Sequence, residues 1–194
     1  MEKEKTRTEL DLLKLQLNPH FFFNTLNNLY ALSLQQSPKT PESILQLSEL
    51  MRYVIYKGQQ PLVRIEEEVR YLTDYLHLQQ LRLRKNLDLQ FEKNKIESQQ
   101  TLAPLLLIVL LENAFKHGIE VSEDAAFLRL ELSCENERLY FRCENSFEPQ
   151  PSNESGIGLS NLKRRLLLLY PEKHRLDTFI KNNTFTAVLE LDLS

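Results

Sequence analysis

Between Gln16 and Leu29 the chain reads QLNPHFFFNTLNNL, and this stretch restricts the fold more than any other. At ~100° per residue, Gln16, His20, Asn24 and Asn27 line up as one narrow polar stripe. Leu12, Leu15, Phe22, Phe23, Leu26 and Leu29 fall on the other side, so a helix here is expected to bury its aromatics and present one imidazole between amides. Pro19 precedes that imidazole, removes a backbone donor, leaves the Leu15 carbonyl without its usual partner and predicts a local bend. Leu10, Leu13 and Leu17 add a second apolar seam, so the arc is wider than one partner helix covers.

The surrounding punctuation predicts a hairpin. The helix is expected over Thr8–Gln36, with a turn at Ser37–Pro41 and a second helix N-capped by Thr40, with Pro41 at its first position. That helix runs to about Lys57, where Gly58 stops it, and Ile44, Leu47, Met51 and Val54 form a coiled-coil-like seam. A hairpin this apolar needs a further layer, and a homodimeric four-helix bundle supplies it. The first unit is expected over residues 1–60 and a second over residues 61–194.

The second unit reads as α+β, a mixed, mainly antiparallel sheet covered by helices. A short extended piece at Leu62–Ile65 leads into a helix whose first turn holds Glu66–Glu68 and whose buried face is Val69, Leu72, Leu76 and Leu83, ending near Arg84. Alternation predicts strands at Leu87–Phe91, Phe127–Cys134 and Leu139–Asn145. An apolar helix is expected over Thr101–His117 and another over Gly158–Tyr170, after a loop holding Pro149 and Pro151. Asn182-Asn183 predicts a hairpin between strands Leu176–Lys181 and Phe185–Leu193.

Composition excludes several classes. A net charge of -3 gives no bulk electrostatic case for nucleic acid or an anionic membrane. The longest apolar run, Leu102–Leu111, holds Pro104 and is about half the ~20 residues of a membrane span. The charged N-terminus does not read as a signal peptide. Cys134 and Cys143 read as reduced sheet residues, not a metal site.

The run NPHFFFNTLN resembles the phosphoacceptor motif of the LytS-type sensor histidine kinases, N-P-H-F-L-F-N, with Phe22 in the aliphatic position. The resemblance implies that His20 receives a phosphoryl group from ATP. A neutral imidazole suits the role, because its pKa of ~6.5 leaves a ring nitrogen free near neutrality, and Gln16 and Asn24 are placed to orient it. The residue after the histidine is Phe21, not an acid, so a general base must come from the nucleotide-binding part.

Residues Glu112-Asn113-x-x-Lys116-His117-Gly118 end a greasy helix with polar groups that must face a cleft. They resemble the N-box of the Bergerat-fold (GHKL) ATPases. There the residue matching Asn113 holds Mg²⁺ through its amide oxygen, a hard donor suited to that ion. Lys116 and His117 would face phosphates, and Glu112 would polarise a water or the attacking imidazole. Gly156-Ile157-Gly158-Leu159 follows a polar loop and opens a helix, the setting in which backbone N–H groups cradle phosphate. It resembles the second glycine motif, G-x-G-L, of the same fold, with Asn161 a further phosphate-side residue. Arg164 and Arg165 read as a solvated basic face.

One box departs from the pattern. Where the fold ends its middle strand with Asp-x-G-x-G, this chain has Cys143-Glu144-Asn145-Ser146-Phe147. Strand alternation maps the adenine-binding Asp to Asn145, with Glu144 the alternative, and an amide oxygen is a neutral acceptor for the adenine amino group. The resemblance thus implies an ATP- and Mg²⁺-dependent protein-histidine kinase of a two-component system. It would act as a homodimer and pass the phosphoryl group to a response-regulator aspartate, commonly on regulators with a LytTR DNA-binding domain, with no direct contact to nucleic acid. The competing reading is a non-catalytic dimerisation and signalling scaffold with a degenerate pocket. Such kinases carry a membrane-embedded or sensory region ahead of the phosphoacceptor helix. The chain is therefore expected to be cytoplasmic, the cytoplasmic part of an inner-membrane sensor.

Overall fold

The computed structural model describes residues 19–83, 85–96, 99–122, 125–148 and 157–194, with the side chain of Ile157 outside that set. Helix α1, Pro19–Leu34, and helix α2, Thr40–Arg52, form the expected hairpin, and α2 ends in a π-helical turn, Tyr53–Lys57. The residues before Pro19, on which the predicted start of this helix and the Leu15 carbonyl fall, lie outside the described residues.

The buried face of α1 is only partly the one predicted, with Leu29 buried as expected. Phe21, Thr25 and Leu29 point inward, whereas Phe23 and Leu26 are 67% and 57% exposed and Phe22 is half-buried. Thr25 can be buried because its hydroxyl donates to the Phe21 carbonyl at 2.8 Å, which removes the cost a hydropathy count assigns it. In α2 the N-cap is Lys39, not Thr40, and Pro41 falls within the first turn. Of the predicted seam, Leu47 is buried and Val54 half-buried, while Ile44 and Met51 are exposed on the single chain. Gly58 does stop the helix. Its N–H donates to the Tyr53 carbonyl at 2.9 Å, and a β-carbon there would stand 2.5 Å from the Val54 oxygen and 2.8 Å from Leu105 Cδ1.

Strand β1, Val63–Arg64, pairs antiparallel with β3, Thr101–Leu102. Between them lie helix α3, Ile65–Arg82, and strand β2, Leu87–Ile96. Glu67 accepts from the Arg64 N–H at 3.1 Å, which caps the start of α3. The helix predicted from Thr101 begins only at Leu107. Pro104 lacks a donor and Leu105 takes a left-handed φ of 59°, so helix α4 is Leu107–Ala114, extended by a π-helical turn, Phe115–Ile119.

Strands β4 (Ala126–Glu135), β5 (Arg138–Ser146), β6 (His174–Lys181) and β7 (Thr184–Asp192) join β2 in a five-stranded sheet of order β2-β4-β5-β7-β6. The β2–β4 pair is parallel and the others are antiparallel, so the fold is α+β with a mixed sheet. Burial alternates along β4 and β5: Leu128, Leu130, Leu132, Leu139, Phe141 and Cys143 face the helices, and the opposite face carries Arg129, Glu131, Arg142 and Glu144. Helix α5, Ile157–Leu169, buries Leu162 and Leu166 in the same core. The β6–β7 hairpin turns at Asn182 and Asn183 with φ of 49° and 56°, as their sequence predicts.

Candidate functional site

His20 is the second described residue of α1 and is exposed, one turn from Asn24. The Asn24 amide nitrogen stands 3.1 Å from both Nδ1 and Nε2, so its N–H can donate to whichever ring nitrogen is unprotonated. The imidazole therefore has a positioning partner on its own helix. Gln16, the other predicted partner, lies outside the described residues.

The next residue is anchored. Phe21 is buried against Tyr75 of α3, with ring centroids 4.5 Å apart, and Tyr75 meets Phe115 edge-to-face at 5.8 Å. Tyr75 is itself fixed, since Gln79 Nε2 donates to its hydroxyl at 2.7 Å. Phe115 lies two residues beyond Asn113. A run of three rings thus connects the residue after His20 to the end of the helix that carries the N-box residues.

Glu112 and Asn113 are half-buried on α4. Beyond them Lys116 is exposed, His117 half-buried and Gly118 buried, all within the π-helical turn. Gly118 sits against the end of β5. A β-carbon there would stand 2.0 Å from Asn145 Nδ2 and 2.4 Å from the Ser146 oxygen, so only glycine admits this approach. Asn145 is 1% exposed and its Nδ2 donates to the Ser146 carbonyl at 2.7 Å. Its Oδ1 is buried without a hydrogen-bond partner among the described residues. A buried acceptor left so costs ~1–3 kcal/mol, and its chemistry is that of an acceptor for an amino group. Of the two sequence candidates for this position, Asn145 points inward, and Glu144 pairs with Arg142 on the opposite face of the sheet.

Gly158 opens α5 beside α4, where a β-carbon would meet Val109 Cγ1 at 3.7 Å, an ordinary contact. Val109 precedes Asn113 by one helical turn, so the start of α5 and Asn113 lie along the same side of α4. Leu159 and Asn161 are half-buried on the first turn, and Gly156 lies outside the described residues. The structure therefore gathers Asn113, Gly118, Asn145 and the start of α5 around one helix, and the link from them to His20 runs through the rings of Phe115, Tyr75 and Phe21. The amide oxygen of Asn113 is a hard donor of the kind that could hold Mg²⁺. No group of three or more His, Cys, Asp or Glu among the described residues could hold a metal ion.

Three residues beneath this cluster escape a sequence reading. Arg165 is not on a solvated face: it is 2% exposed and donates to the carbonyls of Leu105 and Pro104 at 2.8 and 2.7 Å. Glu68 is fully buried and accepts through Oε1 from the Tyr53 hydroxyl at 2.6 Å and the Leu105 N–H at 2.8 Å. Burial raises the Glu68 carboxyl above its ordinary value, opposed by those donors and by Arg165, and burial lowers the Arg165 guanidinium to about 10. Burial first, then the Glu68 carboxylate, pushes the Tyr53 phenol far up. The signal in the sequence was a charge on an apolar stripe: Glu68 between Ile65 and Leu72, and Arg165 between Leu162 and Leu169. Cys143, pushed up to about 12 by burial, is an inert thiol.

Residues 8–87 match the histidine kinase family. Over 96% of its length the chain is 27% identical to the sensor protein kinase HptS of Staphylococcus aureus and spans 38% of that protein. Among solved structures, the histidine kinase domain of the Erythrobacter litoralis EL346 blue-light activated kinase shares the fold at a TM-score of 0.51 and 13% identity, over 98% of this chain and 93% of that one. The histidine kinase ThkA, solved in complex with the response regulator protein TrrA, gives a TM-score of 0.51 and 14% identity over 100% of this chain and 65% of that one. In its matched segment, in its sequence over most of its length and in its fold, the chain is thus similar to histidine kinases.

Proposed function

We propose that this chain is the kinase core of a LytS-type sensor histidine kinase. It phosphorylates its own His20 from ATP and passes the phosphoryl group to an aspartate of a response regulator. The observation that carries the reading is the ring contact from Phe21 through Tyr75 to Phe115, which ties an exposed imidazole to the nucleotide helix of the same chain.

Each residue has a task in that reaction. The unprotonated nitrogen of His20 attacks the terminal phosphorus, a P–N bond forms, the bond to the bridging oxygen breaks and ADP leaves with the electron pair. Asn24 orients the ring before attack and gives up its hydrogen bond to that nitrogen as the phosphorus approaches, and Glu112 takes the proton shed from the ring. When bound, Mg²⁺ neutralises charge on the phosphates, and Asn113 would hold it. Positioning and neutralisation are most of what phosphoryl transfer asks of a protein. Lys116, His117, Asn161 and the backbone of Gly158 and Leu159 at the α5 N-terminus would receive phosphate oxygens, with Gly156, the first glycine of the motif, a further candidate from the sequence. The unpartnered Oδ1 of Asn145 would accept from the adenine amino group.

Residues 1–60 would form the dimerisation and phosphotransfer unit, and residues 61–194 the ATP-binding unit. The exposed stripe of Phe23, Leu26, Tyr30, Leu34, Ile44 and Met51 fits a second copy, since each large apolar side chain fully covered contributes ~1.5–3 kcal/mol. The regulator would be of the kind that carries a LytTR domain. No described helix is long and apolar enough to cross a membrane. Attachment to the membrane would come through a sensor region of the longer protein, with this part on the cytoplasmic side.

The absence of glycine from Asn145–Glu148 favours one competitor, a scaffold with a degenerate pocket. Incubation with γ-labelled ATP and Mg²⁺ separates them. An acid-labile, alkali-stable label that His20→Gln abolishes supports the kinase, and nucleotide binding with no label supports the scaffold.

A further inference from the structure

The segment Ala103–Leu105, which launches the nucleotide helix, has almost every backbone polar group held by a side chain from a distant element. The Ala103 N–H donates to Tyr170 Oη at 2.8 Å, and the Leu105 N–H donates to Glu68 Oε1 at 2.8 Å. The carbonyls of Pro104 and Leu105 accept from the two ends of the Arg165 guanidinium. The segment cannot satisfy itself, because Pro104 has no donor and Leu105 is left-handed. The end of the hairpin joins the same assembly. Tyr53 donates to the Glu68 oxygen that holds Leu105, its ring stacks on Tyr71 at 4.8 Å, and Gly58 lets the π-helical turn close onto the Leu105 side chain.

Stability is a poor account of this arrangement. Charges buried this far from water lose in desolvation about what they gain from each other. Glu68 Oε2 and Arg165 Nε also lack hydrogen-bond partners among the described residues, a further cost. What the assembly does provide is a fixed frame: one carboxylate oxygen is shared between the hairpin and the base of α4, and Arg165 ties that base to α5, the helix that begins at the glycine motif.

We propose that Glu68 and Arg165 are positioning residues that set the frame of the nucleotide helix, and that Tyr53 makes the hairpin end part of the same clamp, so that nucleotide binding and hairpin conformation are linked. The nucleotide half of this statement rests on the proposed ATP site; the clamp half does not. Linkage is reciprocal, so a change at either end must register at the other.

Amide hydrogen exchange on the whole chain tests both halves. Without nucleotide, Arg165→Lys is expected to speed exchange at residues 103–107, whose carbonyls at 104 and 105 it holds, and also, at least fivefold, at residues 53–58. Tyr53→Phe, the milder change, is expected to speed exchange at residues 103–107 by removing one hydroxyl from the hairpin. If each variant alters only its own neighbourhood, the clamp is overturned; should Arg165→Lys fail to fold, Tyr53→Phe decides alone. With Mg²⁺ and a non-hydrolysable ATP analogue, the wild type is expected to slow exchange at residues 53–58. Tyr53→Phe is expected to lose that response while its Kd stays within threefold. An intact response in Tyr53→Phe, or no response in a wild type that binds nucleotide, overturns the linkage. A wild type that binds no nucleotide overturns the ATP reading and leaves the clamp to the first two comparisons.

Discussion

Substituting alanine for Gly118 tests whether the N-box helix and the end of β5 form one site. The added β-carbon would stand 2.0 Å from Asn145 Nδ2 and 2.4 Å from the Ser146 carbonyl oxygen, both far inside van der Waals contact. Asn145 cannot swing aside freely, because it is 1% exposed and paired in the sheet with Leu128 and Phe185. Overpacking of this kind costs ~1–3 kcal/mol, and displacement of the amide breaks its 2.7 Å bond to the Ser146 carbonyl. Urea unfolding of Gly118→Ala should therefore show a loss in that range. If Asn145 Oδ1 accepts from adenine, calorimetry should show Mg-ATP affinity falling at least about tenfold, the ~1.4 kcal/mol of one hydrogen bond. Gly158→Ala is the contrast. Its β-carbon meets Val109 Cγ1 at an ordinary 3.7 Å, so stability should hold or rise by up to ~1 kcal/mol, while nucleotide binding weakens if the backbone there approaches phosphate. Wild-type stability and affinity in Gly118→Ala would refute the reasoning.

Other outcomes follow from the same geometry. Glu68→Gln should flatten the pH dependence of unfolding: burial raises the folded carboxyl, so its stabilising contribution is complete below the unfolded value of ~4.3 and is lost as pH climbs through the higher folded one. Urea melts at pH 5 and pH 8 should show wild type losing ground to the variant at the higher pH. Glu68→Ala should cost ~3–5 kcal/mol, because it strands Arg165 and leaves the Leu105 N–H unpaired. Asn24→Ala should slow His20 labelling by about tenfold without altering ATP affinity, the effect of one lost hydrogen bond on the ring. The double change Phe23→Glu with Leu26→Glu should give a monomer by light scattering with the α+β part still folded. Asn113→Ala should abolish labelling and leave the dimer intact.

Much of this was legible in the chain because it is local. The hairpin follows from apolar spacing, the Pro41 start and the Gly58 stop, and β4, β5 and the Asn182-Asn183 turn follow from alternation and turn chemistry. The cluster around α4 was marked because polar residues at the end of a greasy helix must face something. What stayed hidden depends on partners far along the chain. An α1 that is apolar over so wide an arc does not say which part of that arc meets its own α3, so spacing alone selects Phe23 rather than Phe21. Glu68 and Arg165 look like surface charges until the Pro104–Leu105 segment, whose backbone they satisfy, is folded between them. The late start of α4 falls at the same place, where Leu105 is left-handed and its backbone groups are held by Glu68 and Arg165.

The most direct test of the proposed kinase is which side chain, if any, takes up a phosphoryl group. The chain has four histidines, His20, His77, His117 and His174. After incubation with Mg-ATP, fragment mass spectrometry under alkaline conditions should find phosphohistidine at His20. Phosphohistidine at one of the other three instead, or none in a chain that binds the nucleotide, would contradict it.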